Sequence, residues 1–166
     1  MRALVAAAAA CTLIAFSVPV SSPSIVWNAS PSVPVGFYLV EVKRPSRGDL
    51  TVVRLSSAVS RLARQRSYLV GTDYVLKPVA ATSGDRVCRL GLSIVVNDAH
   101  VAYAKSRDSA DRPMPIWQGC RVLAPREIFV LSTPADSFDS RYFGPVAGAD
   151  VIGLARPILT FSENDE

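Results

Sequence analysis

Downstream of residue 23, short runs of Val, Ile, Leu, Tyr and Phe alternate with breakers of Pro, Gly, Asp and Ser. Apolar runs punctuated in this way read as strands. They predict strands at Gly36 to Val42, Leu50 to Leu55, Tyr74 to Ala80, Arg86 to Leu90, Ser93 to Val96, Glu127 to Ser132 and Val151 to Leu159, with Gln118 to Val122 also strand-like. One stretch has a helical period instead. From Ser56 to Gln65, serines stand where they can cap a helix start, and Val59, Leu62 and Ala63 recur on one face. The polar, turn-rich segment from Ala102 to Pro115 predicts an exposed ribbon tip or loop. The expected fold is mainly β: an antiparallel barrel or a pair of antiparallel sheets with one short helix.

The N-terminus is patterned differently. Arg2 is followed by an uncharged stretch from Ala3 to Val20, with no positive charge in the flank Ser21-Ser22-Pro23-Ser24. A charged start and an apolar segment place the positive end in the cytoplasm and the rest of the chain outside it. The stretch sits at the lower edge of the roughly 17–25 apolar residues that span a bilayer. Two readings follow: a single-span anchor, or a signal cleaved near Ala15-Phe16-Ser17 or Val20-Ser21-Ser22, with Pro23 opposing the second site. The division is therefore residues 1–22 as membrane segment and 23–166 as one domain, located in the periplasm and tied to the inner membrane through residues 3–20. The alternative is a soluble periplasmic domain after cleavage.

Composition sharpens this picture in two places. Among 166 residues, 49% are hydrophobic and 19% charged, with a net charge of +4. The densest basic run, Arg61 to Arg66, could touch anionic lipid or nucleic acid but reads as a solvated helix face, so no nucleic-acid partner is expected. Cys11 lies in the apolar stretch, which leaves Cys88 and Cys120 as an even pair in an oxidising compartment. They read as a disulfide or as two buried thiols, and a bridge would stabilise by about 3–4 kcal/mol in the chain-entropy view. A metal site is disfavoured by a single histidine, His100, and the lack of Cys-x-x-Cys. No cofactor is expected.

A serine hydroxyl near neutral pH needs an adjacent base to act as a nucleophile. A triad on His100 would call for a Gly-x-Ser-x-Gly elbow, which is missing, and His100 reads as a surface residue on a hairpin. A lysine serves as base when burial disfavours its ammonium form. Lys77, in the apolar stretch Tyr74 to Ala81, has such surroundings, although the local sequence is equally readable as an edge-strand lysine pointing to water.

Four ordered segments extend the case. The segments from Ser30 to Tyr38 (with Ser30-Pro31-Ser32-Val33-Pro34-Val35-Gly36), from Arg47 to Val53, from Leu76 to Val79 with Gly84 to Val87, and from Ser137 to Pro145 (with Ser137-Phe138-Asp139-Ser140-Arg141) resemble the boxes of the type I signal peptidases, and among these most resemble the TraF-type peptidases of conjugative plasmids. The resemblance implies that Ser32 is the nucleophile and Lys77 the general base. It implies an oxyanion hole from the Ser30 side chain and the Ser32 amide. Ser137 would orient the Lys77 amine, and Asp139 with Arg141 would hold the loop bearing Ser137, either as a structural salt bridge or with a direct part. Pro34, Gly36 and the turns at Arg47-Gly48-Asp49 and Ser83-Gly84-Asp85 read as scaffold, with Gly36 permitting a turn into the next strand.

The chain also departs from the general secretory leader peptidases. Val33 alone separates Ser32 from Pro34, and Ser132-Thr133-Pro134-Ala135-Asp136 replaces their Gly-Asp-Asn stretch. A dedicated precursor, a pilin or another exported conjugation subunit, is therefore the expected partner. The resemblance leaves open whether water or the substrate's own amine resolves the acyl-enzyme. The rival readings are a housekeeping signal peptidase and a non-catalytic pilus assembly factor of the same fold.

Overall fold

The computed structural model describes residues 24–69 and 71–161. The membrane segment expected over residues 1–22 lies outside them. Among the described residues no helix is long and apolar enough to cross a membrane. In chain order the elements are β1 Ser24–Asn28, β2 Val35–Glu41, β3 Leu50–Arg54, α1 Ser57–Gln65, β4 Tyr74–Ala81, β5 Arg86–Leu90, β6 Ser93–Val96, β7 Ala99–Tyr103, β8 Gly119–Val122, β9 Phe129–Val130, α2 Ser140–Phe143 and β10 Val151–Phe161, with a single 3-10 turn at Gly148–Asp150 before β10.

All strand pairs are antiparallel. Of the two architectures the pattern allowed, the chain forms a pair of sheets. One has the order β1-β2-β10-β3-β4-β9 and the other β7-β6-β5-β8. The last strand enters the middle of the first sheet, so the two ends of the described chain are joined through β2 and β3. Gly36 makes that possible. It lies within β2 rather than in a turn, paired with Thr160, and a Cβ there would stand 2.2 Å from the Leu159 carbonyl oxygen. Close backbone approach, not turn geometry, requires the glycine.

Three apolar clusters fill the interior. Tyr38, Val40, Val52, Leu76 and Ala155 pack with Val33 beside the first three strands. Val53, Val75, Val79 and Val130 pack with Ala63 of α1. Ala81, Val87, Ile94, Val96, Phe129 and Tyr142 unite both sheets and α2. Ser56 caps α1, its hydroxyl accepting from the Val59 amide at 3.5 Å, and Arg64 on the helix pairs with Asp73. In the run from Arg61 to Arg66, Arg61, Arg64 and Gln65 are exposed while Ala63 is buried, as in an amphipathic helix with a polar outer face.

Four elements differ from expectation. β1 escaped the sequence reading because most of it is exposed at the sheet edge, with no half-buried alternation to betray it. The second helix, α2, has four residues, too few for any period, and is started by Asp139, whose side chain accepts from the Arg141 amide. β9 is shorter than the stretch from Glu127 to Ser132, because Ile128 bridges to Val146 and the Ser132 amide is taken by Asp139. The segment from Ala102 to Pro115 is not wholly a surface ribbon: β7 opens it, and Ala104 and Met114 are buried. His100 lies exposed on β7, in a hairpin with β6 and against the Tyr103 ring.

Cys88 and Cys120 are directly opposed on β5 and β8 and are joined in a disulfide. The bridge ties β8 to a sheet whose other pairs are local hairpins. Replacing both cysteines by alanine is expected to lower unfolding free energy in urea by about 2–4 kcal/mol. An unchanged denaturation midpoint would show that β8 is held without the bridge.

Candidate active site

Lys77 sits on β4 opposite Thr51 of β3, and β4 is an inner strand flanked by β3 and β9. It therefore cannot be the edge-strand lysine that its local sequence allowed. The side chain is 4% exposed. The strand context explains this burial: Val75, Leu76 and Val79 surround Lys77 in sequence and are themselves buried. Pro78 gives up an amide but keeps its carbonyl, which accepts from the Leu131 amide at 3.0 Å.

Two hydroxyls meet the buried amine. Lys77 Nζ stands 2.6 Å from Ser32 Oγ and 2.8 Å from Ser137 Oγ. Ser32 is half-buried and Ser137 buried, so one partner faces the surface and the other the interior. Burial pushes the Lys77 ammonium down from its ordinary 10.5 to about 8. Asp139 works against that shift by favouring the charged form, and Arg141 adds to it. At neutral pH roughly a tenth of the amines are then uncharged, against fewer than one in a thousand for an ordinary lysine. A neutral amine within hydrogen-bond reach of a hydroxyl can take its proton as that oxygen attacks an electrophile.

The loop between β1 and β2 presents Ser32. Ser30 Oγ lies 3.0 Å from Ser32 Oγ, and the Ser32 amide points toward Ser30 Oγ at 3.4 Å. A hydroxyl and an amide on one small loop beside the attacking oxygen are donors of the kind that stabilise an oxyanion. Asn28, which sequence reasoning passed over, organises this loop. It is 8% exposed. Its Nδ2 donates to the carbonyls of Ser30 at 2.8 Å, Val33 at 3.2 Å and Pro34 at 3.0 Å, while its Oδ1 accepts from the Ser30 amide at 3.2 Å. The Tyr38 hydroxyl donates to the Pro34 carbonyl at 2.6 Å. The signal for Asn28 was available: an asparagine two residues before the loop's first serine is the arrangement of an Asx turn.

On the interior side, Asp139 and Arg141 form a fully buried, two-pronged pair, with Nε to Oδ1 at 2.8 Å and Nη2 to Oδ2 at 3.1 Å. Each charge has further partners. Asp139 accepts from the amides of Ser132 and Arg141, and Arg141 Nη2 donates to the Ser132 carbonyl at 2.5 Å. A buried pair is tolerable only when such bonds satisfy both ions. The pair closes the loop from Ser132 to Asp139 and so fixes Ser137 against Lys77. Neither charge lies within salt-bridge distance of the Lys77 amine; both act on it through space.

The structure thus brings Ser30, Ser32, Lys77, Ser137, Asp139 and Arg141 together, and leaves His100 and the Cys88–Cys120 bridge elsewhere. Among the described residues no group of three or more His, Cys, Asp and Glu is arranged to hold a metal ion. The turns at Arg47-Gly48-Asp49 and Ser83-Gly84-Asp85 have matching chemistry. Asp49 accepts from the Ser46 amide and Asp85 from that of Thr82, each three residues back.

Comparison with known proteins places this geometry in a family. A "Probable conjugal transfer protein TraF" of Sinorhizobium fredii (strain NBRC 101917 / NGR234) is 36% identical over 148 residues, covering 81% of this chain and 77% of that protein. A "Conjugal transfer protein TraF" of Agrobacterium tumefaciens (strain 15955) is 34% identical over 149 residues, covering 81% of each. A "Plasmid transfer protein TraF" of Escherichia coli is 32% identical over 146 residues, covering 81% of this chain and 82% of that one. A solved signal peptidase I from Enterococcus faecalis V583 superposes with a TM-score of 0.39 at 21% identity, over 69% of this chain and 98% of that one, too loosely to add to the sequence match. The profile of the family "Signal peptidase, peptidase S26" matches residues 1–160. The chain belongs to the signal peptidase S26 family, alongside the TraF proteins of conjugal transfer.

Proposed function

We propose that this protein is a membrane-anchored serine endopeptidase that uses Ser32 and Lys77 as a catalytic dyad. The observation that carries the proposal is the 2.6 Å approach of a buried lysine amine to a half-exposed serine hydroxyl. In the first step neutral Lys77 Nζ takes the Ser32 proton as Oγ bonds to the scissile carbonyl carbon. The oxyanion that forms is met by the Ser32 amide and the Ser30 hydroxyl. As the C–N bond breaks, Lys77 returns the proton to the leaving amine, and an ester to Ser32 remains. Water or a second amine then attacks the ester carbon while Lys77 takes its proton, and Lys77 passes that proton to Ser32 Oγ as the ester C–O bond breaks and the acyl group leaves. Ser137 keeps Nζ aimed at Ser32 throughout, and Asp139 with Arg141 keep Ser137 in place.

The substrate reading rests on the relatives' printed names, which tie them to conjugal and plasmid transfer. We assign as substrate an exported precursor of a conjugation system, a pilin-type subunit, cut at the periplasmic face of the inner membrane. Two features support that location. The apolar stretch before Ser21 suits an anchor. In addition, Trp27, Phe37 and Phe161 form an exposed aromatic cluster on β1, β2 and β10 at the end of the sheet where the Ser32 loop emerges. Aromatic side chains at such a rim match the headgroup region of a bilayer.

Four outcomes are expected. Ser32→Ala and Lys77→Met should each reduce precursor processing by at least about a thousandfold while leaving a folded domain, measured by mass spectrometry of the precursor in membranes. Full processing by either variant would refute the dyad. Activity should rise with pH through about 8, the value to which burial lowers Lys77. The same shift links to stability: the unfolded chain holds the Lys77 proton up to its ordinary pKa, so between about 8 and 10.5 the folded state binds fewer protons. Stability of the parent relative to Lys77→Met should therefore increase with pH across that window, and a flat difference in thermal midpoint would contradict a buried amine. Asn28→Ala should cost about 2–3 kcal/mol of stability from unpaired buried carbonyls and lower kcat more than it raises KM. An effect confined to KM would show that Asn28 does not position the serine loop.

A further inference from the structure

At the end of β2 remote from Ser32, two adjoining concavities merge into one open groove. They share Arg44, Pro45, Arg126 and Ile128. Pro45 and Ile128 are buried and form its apolar floor, while Lys43, Arg44, Arg47 and Arg126 are exposed around it. Among the described residues, none of these cations has a salt-bridge partner. Of the neighbouring acids all but Asp150 are engaged, and Asp85 also feels Arg47 through space. Glu127 pairs with Arg121, Glu41 with Arg156, Asp49 accepts from the Ser46 amide, and Asp85 from the amide of Thr82 and the side chain of Asn97. Elsewhere on the surface, cations such as Arg64, Arg86 and Lys105 are matched to carboxylates. The groove is therefore a local excess of positive charge on a chain whose net charge is only +4.

Arg126 gives the groove a second distinguishing feature. The amide of Glu127 donates to the Ala124 carbonyl at 3.0 Å, closing a turn with Pro125 and Arg126 at its centre. Arg126 has φ of 73°, the left-handed conformation that a type II turn demands at that place and that glycine or asparagine adopts at lower cost. Among the described residues every other non-glycine residue with positive φ is Ser, Asn or Asp. Gly148 makes room for it: a Cβ on Gly148 would lie 2.4 Å from the Arg126 Cβ. A long cation held in a conformation that suits a smaller residue, against a glycine that lets it sit there, is the kind of local outlier from which function is inferred.

We infer that this groove is a docking site for an acidic segment of a partner protein. Guanidinium groups from two loops, Arg44 and Arg47 between β2 and β3 and Arg126 between β8 and β9, can each hold a carboxylate in two-pronged fashion, and the apolar floor accepts an intervening aliphatic side chain. The recess is concave, which suits an extended peptide and not a flat bilayer. Its position agrees. The six steps of β2 put it about 20 Å from the Ser32 loop, at the end of the sheet opposite the exposed Trp27, Phe37 and Phe161. An acidic segment bound here would tether a partner to the domain without occupying the serine and lysine. This inference does not depend on the proposed catalysis, since it concerns residues outside that machinery.

The test uses the full-length chain carrying Ser32→Ala, in neutral detergent, so that binding is read whether or not the protein is a peptidase. The probe is a fluorescein-labelled 12-residue peptide of Glu and Asp with interspersed Leu, followed by anisotropy, with the Gln/Asn version of the same peptide as reference. The acidic peptide should bind, should weaken at least about tenfold between low and high salt, and should outbind the neutral one. The triple change Arg44→Glu, Arg47→Glu, Arg126→Glu should reduce affinity at least about tenfold. Reversing Arg54, Arg61 and Arg107, an equal change in net charge elsewhere, should alter it less than about twofold. The milder triple change to Gln gives the same reading if the Glu variant fails to fold. Equal losses from both triple variants would reduce the effect to net charge and overturn the site. Absence of peptide binding would overturn it too, as would capture by vesicles of anionic lipid or by an oligonucleotide in preference to the peptide.

Discussion

A lysine amine buried on an inner strand is the feature around which the rest of this domain is arranged. Removing an ammonium from water is expensive unless the group is paired or neutral. This fold leaves Lys77 without a carboxylate in contact and gives it two hydroxyls instead. The cost is met by the surrounding cluster of apolar strands, and the result is an amine whose proton is loosely held near neutral pH. Charge is kept close but not touching. The Asp139 carboxylate, saturated by Arg141 and two amides, steadies the ammonium without forming an ion pair that would keep the lysine protonated.

The proposed catalysis then depends on how rigidly the two hydroxyls are held. Ser137 belongs to a loop pinned at both ends by a saturated buried ion pair and by the start of α2. Ser32 lies on a more open loop, and Asn28 with Tyr38 supplies the internal bonds that a sheet ladder would otherwise give. The closure of the sheet by β10 fixes where this loop emerges, because Gly36 admits the β10 backbone into direct contact with β2. The disulfide belongs to a different level of the structure. It secures β8 in the second sheet, whose contribution to the site is the shared core packed against β4, β9 and α2.

Local pattern was enough to place β5 and β6, since turn-forming residues flank them, Asp85 and Gly91 about β5 and Asn97 after β6, and each carries at least one buried β-branched residue. It failed for β1, an edge strand with exposed Ile25 and Trp27, and for α2, which exists because Asp139 caps it and not because of any period. At the site, Ser30, Ser32, Lys77, Ser137, Asp139 and Arg141 were legible through the order of the family's boxes, with Lys77 ambiguous until the strand order showed β4 to be internal. For Asn28 the Asx-turn spacing to Ser30 was readable and went unused, whereas its bonds to the Val33 and Pro34 carbonyls became visible only in the fold. The basic groove was invisible for a similar reason. Its cations come from segments some eighty residues apart in the chain, and only the fold sets Arg44 and Arg47 beside Arg126.

Everything proposed for this site rests on Lys77 being held near the point of deprotonation by burial beside Ser32. The most direct test is a titration of the Lys77 side chain by NMR, with lysine labelled at Cε and the resonance assigned through Lys77→Met. An apparent pKa of about 8, well below the ordinary 10.5, is the expected result. A Lys77 amine that titrates with the surface lysines near 10.5 would contradict the claim, because it would place the amine in solvent and leave Ser32 without a base.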